Sequence, residues 1–110
     1  LYIDDCIEGT LRLFESNYTE PVNIGSDEQV SINKMIEIIE DISGNKKLER
    51  VYKLDKAKGV RGSSSNNDLA KKILKWSFKI NLKEGLKKTY DWIDSEVSKH
   101  GSNLSRYTKS

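Results

Sequence analysis

Gly59, Gly62 and Ser65, spaced as Gly-x-x-Gly-x-x-Ser, have the outline of a glycine-rich turn that cradles a dinucleotide pyrophosphate. That chemistry needs an apolar strand leading in and a helix opening directly on the last glycine, so that free amides meet the phosphates. Here Lys56-Ala57-Lys58 leads in and serine takes the third glycine's place, so the pattern does not predict a dinucleotide site. Tyr52 and Lys56 have the spacing by which a lysine lowers a tyrosine's pKa for proton transfer. Such a pair must share one helix face, whereas Tyr52 falls in strand-like sequence and Lys56 in the loop behind it. Cys6 beside Asp4 and Asp5 offers a nucleophile next to an acid/base pair. A small cysteine buried on a helix, with carboxylates capping that helix's amides, is the commoner use of these residues. Arg61, between Gly59 and Gly62 and ahead of a helix, combines a guanidinium fork with free backbone amides. That combination can hold a diphosphate, and the alternative is a solvated loop arginine.

The elements that must position these groups follow from periodicity and capping. Leu1-Tyr2-Ile3 reads as the end of a strand, and Asp4 and Asp5 then cap a helix that begins near Cys6 and carries Ile7, Leu11 and Phe14, with Leu13 flanking. Val22-Asn23-Ile24, beside Pro21 and closed by Gly25-Ser26, predicts a second short strand. Ser31 caps a helix whose stripe is Ile32, Met35, Ile36, Ile39 and Ile42, and Gly44 ends it. Leu48 to Leu54 predicts a third strand, and Asp55 to Asn67, without apolar periodicity, a loop. Long loops inside compact domains are often functional. A further helix from about Asp68 carries Leu69, Ile73 and Leu74 towards Trp76. The last begins after Asn81, with Glu84 completing a capping box and Leu82, Leu86, Tyr90, Ile93 and Val97 as its buried face. From Gly101 the sequence is polar. Alternating strands and helices predict an α/β class. Three short strands cannot complete a doubly wound nucleotide domain, so they are expected to pair with something outside the sequence.

Composition sets the outer limits. A length of 110 residues, 35% hydrophobic and 33% charged, allows one modest core. No run of roughly eighteen apolar residues is present, which excludes a spanning helix, and no basic-then-apolar start signals secretion, so the cytoplasm is the default compartment. Cys6 is the only cysteine and His100 the only histidine, which excludes a disulfide framework and a structural zinc site. The first residue is Leu1, and the only methionine, Met35, falls inside a helical pattern, so the sequence reads as part of a longer one. A net charge of +2 hides an asymmetry: through Asn45 there are two basic and ten acidic residues, and from Lys46 onward seventeen basic and seven acidic. Solvated lysine faces on helices explain most of this, and a phosphate or nucleic-acid site is the alternative. Scarce aromatics near the basic stretch, Trp76 and Phe78 apart, weigh against stacking on single strands.

Taken together, residues 1–10 (Leu-Tyr-Ile-Asp-Asp-Cys-Ile-Glu-Gly-Thr), 20–28 (Glu-Pro-Val-Asn-Ile-Gly-Ser-Asp-Glu), 59–62 (Gly-Val-Arg-Gly), 82–86 (Leu-Lys-Glu-Gly-Leu) and 89–93 (Thr-Tyr-Asp-Trp-Ile) carry a resemblance. Over residues 1 to about 100 the sequence resembles the C-terminal part of the extended short-chain dehydrogenase/reductases that modify nucleotide sugars. The resemblance implies the C-terminal portion of an extended Rossmann-type epimerase, a small substrate-binding domain of short strands and about four helices, with the Rossmann core outside these residues. It implies that 1–16 belong with that core, that 17–100 form the substrate-binding domain, and that 101–110 are a tail. It further implies NAD, held by the Rossmann domain, as cofactor for transient oxidation of the sugar, with the catalytic residues upstream of Leu1. A nucleotide sugar, GDP-mannose in particular, is the implied substrate, a homodimer the implied assembly of the full-length enzyme, and the chain alone is expected to be inactive. Neither nucleic acid nor membrane is an expected partner. Residue by residue, Arg61 matches the family arginine that contacts the diphosphate, and Ser110 matches a tail residue that reaches the substrate. The sequence departs from the family at Ser63, where a second arginine is usual, at Asn66, where aspartate is usual, and at Lys75 and Phe78, which replace the glycine and proline of a Leu-Gly-Trp-x-Pro turn.

Overall fold

Each helical pattern in the sequence becomes a helix, and the segments between them are irregular. The computed structural model describes residues 1–44, 48–59 and 62–101. In chain order these form α1 (Ile3–Glu15), α2 (Ile32–Ser43), α3 (Asp68–Leu74) and α4 (Leu82–His100), with α1 packed on α3 and α2 on α4. No helix among them is long and apolar enough to cross a membrane.

The ends of the helices are set by side chains. At α2 the Ser31 hydroxyl accepts the Lys34 N–H at 3.0 Å, and Gly44 closes the helix in the left-handed region at φ 69°. At α4 the Asn81 carboxamide oxygen accepts the Glu84 N–H at 2.8 Å. Caps of this kind stabilise by about 1 kcal/mol each. The end of α3 is capped from another helix. Arg12 of α1 donates through Nη1 to the Leu74 and Lys75 carbonyls at 3.1 and 2.8 Å, and through Nη2 to Glu8 at 2.8 Å. Lys75 itself is left-handed at φ 52°, so the turn before Trp76 keeps a glycine-like conformation with a lysine in it.

The core is small and lies between α1, α3 and the segment before α2. Ala70, Leu74 and Trp76 are its buried residues, with Leu13, Val22, Ile24, Ile73 and Phe78 packed around them. Gly9 permits the approach of α1: a Cβ there would lie 2.9 Å from Ile24 Cδ1 and 3.1 Å from Trp76 Nε1. The Trp76 indole donates to the Asp5 carbonyl at 3.0 Å. Asp5, only 2% exposed, accepts the Lys79 and Ile80 amides on one carboxylate oxygen at 3.0 and 2.9 Å.

This corrects two expectations for α1. The helix starts at Ile3 rather than near Cys6, and Asp5 ties the α3–α4 connection down instead of capping its own helix. Its inward face is Asp5, Gly9 and Leu13, while the apolar stripe of Ile3, Ile7, Leu11 and Phe14 is exposed, Phe14 to 86%. On the α2–α4 pair, Met35, Ile36, Ile39 and Ile42 are half-buried as their spacing predicts, and Ile32 is exposed. Leu82, Leu86 and Tyr90 face inward, but Ile93 and Val97 do not, because α4 with 19 residues outruns the 12 of α2.

The short strands are not confirmed. Among the described residues Leu1–Ile3, Val22–Ile24 and Leu48–Leu54 form none, and the α/β expectation gives way there to helices and irregular segments. A strand exists only where a neighbour takes its amides and carbonyls, and these three segments do not pair with one another. Residues 48–52 are held instead by side chains. Glu40, buried in α2, accepts the Leu48 N–H at 3.1 Å and Arg50 Nη2 at 3.0 Å. That carboxylate hydrogen bond raises the Arg50 pKa above its ordinary value, against the opposing effect of desolvation.

Candidate functional site

Residues 22–29 are where the separate parts of the chain meet. Val22 and Ile24 reach into the core, which fixes the direction of the segment, and Gly25 then passes close under the loop that follows the second glycine, Gly62. A Cβ on Gly25 would lie 2.6 Å from Ser65 Cβ, so only glycine fits this crossing. Beside it the Ser65 N–H donates to the Ser26 carbonyl at 2.9 Å. Asn67, 5% exposed, completes the joint. Its Nδ2 donates to the Gly25 carbonyl at 2.9 Å, and its Oδ1 accepts the Gly25 N–H at 3.2 Å and the Ser65 hydroxyl at 2.8 Å.

The same segment reaches α4. The Ser26 hydroxyl accepts the Glu28 N–H at 3.0 Å, and the Glu28 carboxylate accepts the Leu82 N–H at 3.1 and 3.3 Å. A negative group at a helix N-terminus meets free amides and the positive end of the helix dipole. Gln29 packs on Gly62, with its carboxamide in the space that a Cβ of Gly62 would need, whereas Gly59 has nothing near it. Between Tyr2, Ser26, Glu28, Leu82 and Thr89 a cleft of about 160 Å³ opens. Pockets for drug-sized ligands measure roughly 300–1,000 Å³, so this cleft alone is too small to enclose a nucleotide sugar.

The sequence-derived candidates divide as follows. Arg61 and Ser110 lie outside the described residues. The flanks of Arg61 are described: Gly59 is open, and Gly62 is docked on Gln29. No strand leads into Gly59, and α3 opens only at Asp68, so the spacing Gly59, Gly62, Ser65 is not a dinucleotide turn. Tyr52 and Lys56 share no helix. The Tyr52 hydroxyl donates to Asn33 at 3.4 Å, and Lys56 lies 3.9 Å from Asp55. Cys6 is half-buried on α1, and Asp4 and Asp5 do not form an acid/base pair, since Asp5 holds backbone amides and Asp4 is exposed. Ser63 is exposed. Among the described residues no three His, Cys, Asp or Glu side chains converge to hold a metal ion.

Sequence reasoning did not single out Asn67 or Glu28. Their partners lie 42 and 54 positions away, and nothing in local spacing marks such bonds. The only sequence signal was the position of Asn67 at the start of a helix, which suggests a cap it does not make. Electrostatically, the hydrogen bond from Arg12 holds the Glu8 carboxyl below its ordinary range, opposed by desolvation and aided by Lys79 at 3.4 Å. Two lysines of the basic half are paired along α4, Lys87 with Asp91 at 3.0 Å and Lys99 with Glu96 at 3.8 Å.

No family model matches the chain. It is 45% identical over 112 residues to a GDP-mannose 3,5-epimerase of Arabidopsis thaliana, an alignment covering 99% of this chain and 29% of that protein. It is 37% identical over 97 residues to a UDP-glucuronate 4-epimerase of Thermodesulfobacterium geofontis, covering 87% of this chain and 30% of that one. Among solved structures, a UDP-glucose 4-epimerase of Thermotoga maritima with UDP-glucose superposes at a TM-score of 0.81 and 32% identity, over 88% of this chain and 31% of that one. A UDP-glucuronic acid 4-epimerase of Bacillus cereus in complex with NAD superposes at 0.70 and 33% identity, over 86% of this chain and 30% of that one. The chain thus spans about 30% of the length of the relatives it matches.

Proposed function

We infer that this chain, which belongs with the C-terminal part of the nucleotide-sugar epimerases of the extended short-chain dehydrogenase/reductase family, supplies the part of such an enzyme that holds the nucleotide diphosphate. The observation that carries this reading is the docking of the glycine loop. Gly62, the neighbour of Arg61, sits on Gln29, and the loop returns through Ser65 to Ser26. A guanidinium between two glycines can give a diphosphate two parallel charge-assisted hydrogen bonds, and the open backbone at Gly59 leaves room for phosphate oxygens beside it. In this reading Arg61 is the main anion contact and Ser110 a further contact to the nucleotide sugar. GDP-mannose is the proposed substrate, supported by 45% identity to a GDP-mannose 3,5-epimerase across nearly the whole chain.

NAD, as cofactor of the complete enzyme, would supply reversible oxidation of a sugar carbon, which acidifies the protons on its neighbours. A dinucleotide needs a strand feeding a glycine-rich turn, and the described residues contain none. We therefore place NAD on the Rossmann portion and assign the described residues no step with it. The exposed stripe Ile3, Ile7, Leu11 and Phe14 is the surface we assign to packing against that portion, with residues 17–100 forming the substrate-binding domain. The complete enzyme is proposed to be a cytoplasmic homodimer, and these 110 residues by themselves to be inactive.

The test is a chimera in which this chain replaces the matching segment of the Arabidopsis epimerase, with products followed by sugar NMR. Conversion of GDP-mannose is the expected result. Arg61→Ala should raise KM for GDP-mannose by about tenfold or more, the loss of a charge-assisted pair. An unchanged KM would remove Arg61 from the site. A second reading, a 4-epimerase acting on a UDP-linked sugar, is favoured by the TM-score of 0.81 to the Thermotoga enzyme. A chimera that turns over UDP-glucose or UDP-glucuronate and leaves GDP-mannose untouched would select it.

A further inference from the structure

At the described end of the glycine loop, a single side chain makes most of the bonds that hold it. Asn67 is 5% exposed, and its carboxamide satisfies both backbone groups of Gly25, donating to the carbonyl at 2.9 Å and accepting the N–H at 3.2 Å. Its oxygen also accepts the Ser65 hydroxyl at 2.8 Å. This is the pattern a neighbouring strand would give Gly25, supplied by a primary amide.

The position of Asn67 makes the choice informative. It stands at the start of α3, where asparagine ordinarily caps, yet it makes no cap bond. Asn66 serves the helix instead, accepting the Asp68 N–H on Oδ1 at 3.0 Å. Asn67 is thereby left to face the loop. Burying an amide is unfavourable unless each polar atom is paired, and here they are paired only by the loop and the segment below it. Aspartate would lack the donor to Gly25, serine would be too short to bridge both groups, and glutamine would be a methylene too long.

We propose that Asn67 is a positioning residue for diphosphate binding. Its carboxamide clamps Ser65, four positions after Arg61 in the chain, onto Gly25 and so presets that end of the loop before the anion arrives. The Gly25–Ser65 crossing, where no Cβ fits, and the Gly62–Gln29 contact fix the described stretch Gly62–Ser65 further. The proposal rests on the diphosphate role of Arg61. Preorganised donors bind an anion better than donors that must be ordered on binding, and small misplacements of a binding group carry large kinetic penalties.

The experiment is a double-mutant cycle in the active chimera, reading KM and kcat for GDP-mannose with Asn67→Ala, Arg61→Ala and both together. Asn67→Ala should raise KM by about tenfold with kcat within about twofold, and should add little once Arg61 is gone. Ser65→Ala, which deletes only the hydroxyl bond to Asn67, should shift KM in the same direction by a smaller factor and keeps the test open if Asn67→Ala folds poorly. Asn67→Asp, which keeps the acceptor but not the donor, should fall between the parent and alanine. If Arg61→Ala raises KM while Asn67→Ala and Ser65→Ala do not, the positioning role is wrong and the anion site stands. The positioning role is equally wrong if Asn67→Ala raises KM by the same factor with and without Arg61. If Arg61→Ala leaves KM unchanged, the diphosphate reading itself fails and the role of Asn67 goes with it.

Discussion

Replacing Asp5 with alanine should remove about 2–4 kcal/mol of folding stability, more than any surface substitution in the chain. One oxygen of this buried carboxylate accepts the Lys79 and Ile80 amides at 3.0 and 2.9 Å, and the backbone of the same residue accepts the Trp76 indole at 3.0 Å. A hydrogen bond to a charged acceptor contributes about 1.5–3 kcal/mol. Lys79 is exposed and Ile80 half-buried, so water replaces part of what is lost, and the lower end of the range for two bonds applies. Asp5→Asn keeps an acceptor without its charge and should lose about half as much. For a chain of this size each kcal/mol moves Tm by about 4–8 °C, so alanine should lower Tm by about 8–32 °C. Urea unfolding followed by circular dichroism gives the global value, and hydrogen exchange at Lys79 and Ile80 gives the local one. A Tm within about 2 °C of the parent, with both amides still protected, would show that the carboxylate does not hold the α3–α4 connection.

Two further outcomes follow from the α1–α3 joint. Glu8 titrates below its ordinary 4.5 because Arg12 donates to it, so its contribution to stability is present above pH 4.5 and is lost as pH falls through the lowered value; Glu8→Gln should flatten the acid limb of the Tm-against-pH curve in that window, and an unchanged limb would deny the pair a role. Lys75→Gly should raise stability by about 0.5–1 kcal/mol in urea melts, because relief of a left-handed lysine exceeds the added freedom of the unfolded chain; a loss would mean that the lysine side chain, not the turn, matters there.

How much of this was legible depended on the range of the interaction. Ser31 and Gly44 bound α2 as predicted, and Asn81 caps α4, because caps and periodicity are local and act within about four residues. The short strands are not confirmed because a strand is a relation between two segments, and among the described residues the stretch after Val22–Ile24 is bonded at Gly25 and Ser26 by Asn67 and Ser65. For α1 the period was right, and it marks the face that lies exposed. Ile7, Leu11 and Phe14 form a true stripe, yet the inward face is the one where Gly9 removes bulk and Asp5 brings a charge to two amides. An apolar pattern states that a face wants to be covered, not that this chain covers it. At the candidate site the glycines were visible as glycines, but what fixes them was not, since Asn67 and Glu28 act across 42 and 54 positions.

The charge asymmetry between the halves has its explanation in the same long-range bonds. Asp5, Glu8 and Glu28 all come from the acidic half, and all of them turn to the connection between α3 and α4. Asp5 takes the Lys79 and Ile80 amides, Glu28 takes the Leu82 amide, and Glu8 lies 3.4 Å from the Lys79 ammonium. A connection so short, entering a helix whose first amides have no intrahelical acceptor, needs acceptors from elsewhere, and carboxylates are the strongest available. Some acidic residues of the first half thus hold the second half in place, while on α4 Lys87 pairs with Asp91 along its own helix and Lys88 lies over the Tyr2 ring, 5.7 Å from its centroid. The anion chemistry we propose rests instead on Arg61, which stands between Gly59 and Gly62 in the sequence.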